Sequence, residues 1–311
     1  ELKSAIINKF QRDNGLSYQP DQILVSCGGK QSFYNLAQAL LNPGDEVIIP
    51  APYWVSYPDM VKLADGEPVF IKAGLEQTFK IAPEQLDAAI TPKTRLFVIN
   101  SPSNPTGITY SREELKGLAD VLLSHPHVLI ATDDMYEHII WQDEPFSNIL
   151  MVAPDLYDRT IVLNGVSKAY SMTGWRIGYT GGPADMIKGM KKVQSQSTSN
   201  PFSIAQAAAQ EALALLREGA ELLEGPAHLA AGQVEILDLD GRFLETEALG
   251  VVVVEVLVAR AHAADVEAQH RLHRVQGFFQ VIVDDGHDGG GDFEAVIGTG
   301  NLVGIDFLAI G

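Results

Sequence analysis

Apolar positions along the first two-thirds of the chain switch repeatedly between a helical and an extended period. Leu2, Ile6 and Phe10 recur one turn apart until Gly15 stops the pattern, which predicts an amphipathic helix. Ile23-Leu24-Val25 follows as a short continuous apolar run, the mark of a strand covered on both faces. Gln31 to Leu41 returns to helical spacing and ends at Asn42-Pro43-Gly44. Further strands are predicted at Val47-Ile48-Ile49, Val69-Phe70-Ile71, Leu96-Phe97-Val98-Ile99, Val128-Leu129-Ile130 and Ile161-Val162-Leu163. Between them, Pro83 suits the first position of a helix that carries Leu86 and Ile90. Ser111 with Glu114 forms a capping-box pattern for a helix reaching Leu123. Such alternation predicts an α/β domain with a mostly parallel sheet covered on both faces. Ligands of open sheets bind beyond the carboxyl ends of the strands. Asn100, Asp133 and Asn164 each sit just past an apolar run, so the candidate chemistry falls at that edge.

The pattern lapses after Ala212. From there the chain contains no Ser, Lys, Tyr, Trp, Met or Cys, and Ala, Gly, Val, Asp, Glu and His dominate. A composition so skewed fits a chimeric, frame-shifted or antisense-translated tail better than a divergent domain. Residues 1–213 are therefore read as one domain and residues 214–311 as an atypical C-terminal region. The net charge of −18 argues against nonspecific binding to nucleic acid or an anionic membrane, and much of it falls in that region. One cysteine, Cys27, excludes a disulfide framework and suits a reducing cytoplasm. No apolar run has the length of a membrane span; Val251-Val252-Val253-Val254 is broken at once by Glu255. The chain opens at Glu1, already inside a helical pattern.

The chemistry concentrates in Ser167-Lys168-Ala169-Tyr170-Ser171-Met172-Thr173-Gly174-Trp175-Arg176-Ile177-Gly178-Tyr179. A lysine here can form a Schiff base, and an arginine eight residues later can grip a phosphate as a planar bidentate donor. Gly28-Gly29-Lys30, between a strand and a helix, lets backbone amides approach an anion at a helix N-terminus. With Asn104-Pro105-Thr106-Gly107 and Asp133-Asp134-Met135-Tyr136-Glu137, these are the parts needed to hold pyridoxal phosphate.

Over roughly Glu1 to Leu213 the chain resembles the class I/II aminotransferases of fold type I, in their bacterial aspartate aminotransferase-like branch. The resemblance implies a large domain with a mostly parallel, seven-stranded type of sheet between helices, and pyridoxal 5'-phosphate as cofactor. It implies that Lys168 forms the Schiff base and that Arg176 with Gly28, Gly29 and Lys30 holds the phosphate. Aligning Asp-Asp-Met-Tyr-Glu on the family's Asp-Glu-Ile-Tyr-Glu selects Asp133, over Asp134, as partner of the pyridine nitrogen. Tyr136 and Asn104 would bond the ring's phenolic oxygen, and Trp54 would stack on its face. Lys168, Asp133 and Tyr136 are thus the implied catalytic residues. Trp54, Asn104 and Lys30 would also touch substrate, Lys30 at the distal carboxylate of a dicarboxylic amino acid. Each has a plainer reading: Trp54 and Tyr136 as core aromatics, Arg176 in an ion pair, Asp134 as a charge at a helix start. Where the family often carries Ser three positions before the lysine, this chain has Gly165. Ser101-Pro102 and Asn104-Pro105 are candidate cis peptides.

The implied reaction moves an amino group from an amino acid to a 2-oxo acid in a homodimeric, cytoplasmic enzyme. Rivals are a lyase on the same fold, of the C–S lyase or aminocyclopropane-carboxylate synthase type, or a cofactor-binding effector domain of a transcription regulator. The family grips the substrate carboxylate with an arginine in an Arg-hydrophobic-Ser-aromatic context. Arg217, Arg242, Arg260, Arg271 and Arg274 all lie in other surroundings, and the N-terminal arm is missing. The expectation is a fragment with its cofactor half intact. No metal is expected: His125, His127 and His138 lack ligand spacing and an accompanying acidic cluster, and His262, His270, His273 and His287 fall in the atypical region.

Overall fold

Successive residues of a strand point to opposite faces of its sheet, and in this chain both faces are apolar. The structure, a computed structural model, describes residues 1–141, 144–223, 279–282, 295–299 and 306–309. Helix α1 (Leu2–Asn14) closes on Gly15 in the left-handed conformation and leads to β1 (Ile23–Ser26) and α2 (Gly29–Leu40). Then come β2 (Glu46–Ala51), α3 (Ser56–Lys62), β3 (Glu67–Lys72), α4 (Pro83–Ala89) and β4 (Thr94–Asn100). Helix α5 (Arg112–Ser124), β5 (Leu129–Asp133), the short α6 (Ile149–Val152) and β6 (Thr160–Gly165) follow. The unit closes with β7 (Gly178–Gly181), α7 (Ala184–Ser195) and α8 (Ser203–Leu223).

The seven strands lie in the order β1-β7-β6-β5-β4-β2-β3. Neighbours from β6 to β3 are parallel, whereas β7 runs antiparallel to both β1 and β6. On one face Ile48, Phe97, Ile99, Ile130 and Val162 pack with Ile6 and Phe10 of α1, Leu118 of α5 and Ala209 of α8. On the other, Val47, Ile49, Leu96, Val98 and Leu163 meet Phe33 and Leu36 of α2, Met60 of α3 and Met190 of α7. Each fully buried side chain of this size contributes roughly 1.5–3 kcal/mol. The capping box at α5 is formed: Ser111 Oγ accepts from the Glu114 amide at 3.2 Å, and the Ser111 amide donates to Glu114 Oε2 at 2.7 Å.

Helix α4 begins at Pro83, but it ends at Ala89, so Ile90 caps it instead of continuing it. Helix α2 starts at Gly29, two residues earlier than the apolar pattern shows. Strand β7 has no apolar run because it is built for close approach. A Cβ on Gly178 would lie 2.3 Å from the carbonyl carbon of Gly28, and one on Gly181 would lie 2.8 Å from the Tyr18 ring. Ser101-Pro102 and Asn104-Pro105 are both cis, as is Ala51-Pro52.

The first compact unit is Glu1–Glu221, and α8 continues through Leu213 as far as Leu223. In the second unit, Leu222–Gly311, the described backbone forms β8 (Phe279–Ile282), β9 (Ala295–Thr299) and β10 (Asp306–Ala309). They pair antiparallel in the order β10-β9-β8. Among the described residues no helix is long and apolar enough to cross a membrane.

Candidate active site

The parallel strands β2, β4, β5 and β6 all end at one edge of the sheet, and the polar residues gather there. Asn100 and Asp133, the last residues of β4 and β5, are register partners. The Asn100 side chain joins the two loops above them. Its Nδ2 donates to the Asp133 carbonyl at 2.8 Å, and its Oδ1 accepts from the Asn104 amide at 2.7 Å. Tyr57, buried on α3, donates its hydroxyl to Asp133 Oδ2 at 2.6 Å. The Met135 amide donates to Oδ1 at 3.3 Å.

Asp133 keeps some solvent exposure, yet its carboxyl is enclosed closely enough for desolvation to raise its pKa above the ordinary value. The hydrogen bonds from Tyr57 and Met135 oppose that rise. Among the described residues no Lys, Arg or His forms an ion pair with it. A carboxylate so placed has room to receive a cation, and none among the described residues occupies it. Burial drives its neighbour Asp134 higher, to about 7, with the Glu137 carboxylate adding to the rise. Asp134 points away, into bonds from Thr132 Oγ1 and Asn148 Nδ2, both at 2.6 Å.

An anion cradle stands beside this carboxylate. Gly28, with φ 86°, precedes the first turn of α2, whose leading amides have no acceptor within the helix. Arg176, two residues before the β7 strand that pairs with β1, reaches over it. Its Nη1 donates to Thr173 O at 2.9 Å and its Nη2 to Cys27 O at 3.4 Å. A Cβ on Gly28 would sit 2.3 Å from Arg176 Nη2, so only glycine leaves this space open. Arg176 itself holds a left-handed φ of 55°, a conformation costing an L-residue about 1–2 kcal/mol. The strain aims an exposed guanidinium at the cradle. Gly29 packs on Met135, whose Cε lies 2.5 Å from where a Cβ would be. The cradle and the Asp133 loop therefore touch.

The remaining sequence-derived residues join the same contact chain. Trp54 meets Tyr57 edge-on with ring centroids 5.2 Å apart, and Lys30 Nζ lies 5.3 Å from the centre of the Trp54 ring. Lys168 is exposed, its Nζ 5.7 Å from the centre of the Tyr136 ring. Asn104 lines a recess with Tyr53, Tyr57, Phe79 and Asn100. Gly165 also has a reason to differ from serine. A Cβ there would lie 2.8 Å from the Ile177 carbonyl oxygen, where β6 and β7 close together. Sequence reasoning placed Asn100 at this edge without a role, and gave none to Tyr57, Met135 or Gly178. Of these three Tyr57 carried a signal, being three residues, about one helical turn, beyond Trp54.

His138 corrects one expectation, because an acidic cluster does accompany it: Asp13, Glu137 and His138 bring ligand atoms within 4.8 Å of one another. The chain's own cations occupy the cluster. Lys9, fully buried, ion-pairs with Glu137, and Arg12 Nε lies 2.5 Å from Asp13 Oδ1. Burial opposes ionisation of Asp13, but hydrogen bonds from His138 and Arg12 and the charge of Lys9 outweigh it and hold its pKa low. Asn14 and Asn164 donate to the two Glu137 oxygens at 2.8 and 2.7 Å. His262, His270, His273 and His287 lie outside the described residues, as do Arg242, Arg260, Arg271 and Arg274.

The sequence model of aminotransferase class I and II matches residues 1–225. The aspartate/prephenate aminotransferase of Nitrosomonas europaea is 66% identical over 212 residues, which cover 68% of this chain and 53% of that protein. The protein of the same name from Cereibacter sphaeroides is 62% identical over 213 residues, again 68% and 53% of the two chains. Among solved structures, the aspartate aminotransferase of Rhizobium meliloti superposes with a TM-score of 0.68 at 41% identity, covering 96% of this chain and 64% of that one. Thermus thermophilus aspartate aminotransferase with maleate gives a TM-score of 0.67 at 45% identity, covering 72% and 57%. The chain spans about half the length of the curated relatives it matches.

Proposed function

The chain belongs to the class I and II aminotransferase family, and from that premise we propose that its site holds pyridoxal 5'-phosphate for amino-group transfer. One observation carries the reading. An anion cradle and a carboxylate with no cation partner among the described residues stand side by side, matching a phosphate and a protonated pyridine nitrogen. When bound, the cofactor supplies an electron sink for the bond broken at the substrate Cα.

The chain's residues supply the rest. Arg176 and the leading amides of α2 would neutralise the phosphate and fix the ring's position. Asp133 would keep the ring nitrogen protonated, while the Tyr57 hydroxyl holds Asp133 in place and favours its ionised form. Tyr136 and Asn104 would bond the phenolic oxygen, and Trp54 would cover a ring face. Lys168, beside the Tyr136 ring, would be the residue to bond the aldehyde carbon and to carry the proton at Cα.

The relatives' names favour transfer over elimination. They support aspartate as donor and prephenate, a 2-oxo acid, as acceptor. Lys30, exposed beside Trp54, is proposed to meet the distal carboxylate. The substrate assignments, a homodimeric state and a cytoplasmic location are proposed for the architecture of the full-length relatives. Cofactor binding is proposed for the unit Glu1–Glu221 itself.

The test is covalent trapping. The chain is mixed with pyridoxal 5'-phosphate, reduced with borohydride, digested and mapped by mass spectrometry, with Lys168→Ala as control. A pyridoxyl adduct concentrated on Lys168 is expected. Labelling scattered over surface lysines, and unchanged in Lys168→Ala, would overturn the proposal.

A further inference from the structure

The segment Ser26-Cys27-Gly28, which carries the anion cradle, is held from behind by two glutamines outside every motif. Gln194 lies on α7, only 2% exposed, and uses its full capacity for hydrogen bonds. Its Oε1 accepts from Ser26 Oγ at 2.7 Å and from Asn35 Nδ2 at 2.9 Å. Its Nε2 donates to Val25 O at 2.8 Å and to Ser199 O at 3.4 Å. One side chain thereby joins the end of β1, the middle of α2 and the linker that follows α7. Gln31, in the first turn of α2, holds the next residue. Its Oε1 accepts from the Cys27 amide at 2.7 Å, and its Nε2 donates to Thr198 Oγ1 at 2.7 Å.

A polar hub buried between a helix and a sheet is costly unless it is hydrogen-bonded, and an apolar residue in its place would orphan Ser26 Oγ, Asn35 Nδ2 and Val25 O. What the amide adds is direction. Ser26 and Asn35, its two donors, are both fully buried and flank the cradle on the β1 and α2 sides. The Gly28 amide is bound to Ser26 O at 2.8 Å and the Cys27 amide to Gln31. Beyond them the Gln31 and Ser32 amides turn back to the Gly28 carbonyl, and those of Gly29 and Lys30, at the start of α2, are left for an anion.

We propose that Gln194 and Gln31 are positioning residues for the cofactor phosphate: they fix the Ser26–Gly29 turn so that Arg176 and the α2 amides converge on one anion. This rests on the pyridoxal phosphate reading above. It predicts a defect specific to the phosphate. Gln194→Met and Gln31→Ala in the full chain lower affinity for pyridoxal phosphate while leaving that for pyridoxal, which lacks the phosphate, nearly unchanged. The ratio of the two dissociation constants contracts about tenfold, the effect of one to two lost hydrogen bonds. Gln194→Glu keeps the acceptor for Ser26 and Asn35 and restores part of the ratio.

The experiment is parallel absorbance titration of wild type and the three variants with each ligand, alongside thermal melts. Gln31 is partly exposed, so its variant reports even where Gln194→Met fails to fold. A contracted ratio in a cooperatively melting variant supports the proposal. An unchanged ratio accompanied by a lower Tm assigns the glutamines to packing alone and overturns it. A wild type with no preference for pyridoxal phosphate over pyridoxal overturns the cofactor reading, and this inference with it.

Discussion

The Tyr57 hydroxyl lies 2.6 Å from Asp133 Oδ2, joining a buried side chain of α3 to the last residue of β5. Burial and the adjacent Asp133 push the Tyr57 hydroxyl well above its ordinary pKa, so it donates throughout the physiological range. Its donation stabilises the ionised form of Asp133 more than the protonated one. Tyr57→Phe is therefore expected to cost about 1.5–3 kcal/mol near pH 8, and less at pH 5, where Asp133 more readily accepts a proton. Urea unfolding at the two pH values measures the difference.

Asp134 gives the chain a stability slope of its own. The folded state raises its pKa from 3.8 to about 7. Between those values the folded chain binds a proton that the unfolded chain does not, so stability is fully present below pH 4 and declines as pH rises towards 7. The limiting slope for one proton is about 1.4 kcal/mol per pH unit. Asp134→Asn should flatten this part of the stability profile, which chemical denaturation across pH 4–8 would show.

Among the described residues Lys9 is the fully buried cation that pairs with Glu137, and removing it leaves that buried carboxylate without its lysine. Lys9→Met is expected to destabilise the unit by about 3–5 kcal/mol, the usual cost of breaking one partner of a buried pair. Glu137 follows Tyr136 directly, so the same variant should also weaken retention of pyridoxal phosphate, read by absorbance.

Gly178→Ala tests the close approach of β7 to the cradle. The new Cβ would stand 2.3 Å from the Gly28 carbonyl carbon and 2.4 Å from the Gly29 nitrogen, both of them backbone atoms. Overpacking of this kind costs about 1–3 kcal/mol. A lower Tm together with weaker cofactor binding is expected, and a melt identical to wild type would contradict the geometry.

The parallel strands were legible because burial on both faces leaves continuous apolar runs, as at Leu96-Phe97-Val98-Ile99. Strand β7 was not, since its Gly178-Tyr179-Thr180-Gly181 answers to close backbone approach and not to hydrophobicity. The continuation of α8 past Leu213 was hidden for a different reason: Ala, Leu and Glu favour helix in any composition. Within the site, residues whose type announces their chemistry were the ones the sequence nominated, such as Lys168, Arg176 and Asp133. Asn100 could be placed at its strand end but not in its bonds, while Tyr57 and Gln194 draw their roles from what they touch, and three-dimensional neighbours leave no mark in the order of residues. The acidic surroundings of His138 were missed because Asp13 arrives from α1, far away in the chain.

Strand β1 has a single partner in the sheet, and that partner is β7. The order in which the chain is made therefore matters. Cys27 is separated from Arg176 by 149 positions, on the order of ten seconds of ribosomal synthesis. Throughout that interval β1 has no neighbour to join, and the glycine wall of the cradle has no arginine opposite. The last strand of the sheet to be synthesised must enter between β6 and β1, and only then does the first strand dock. On the proposed reading, capture of the cofactor phosphate would report that the chain's beginning and its late middle have found each other.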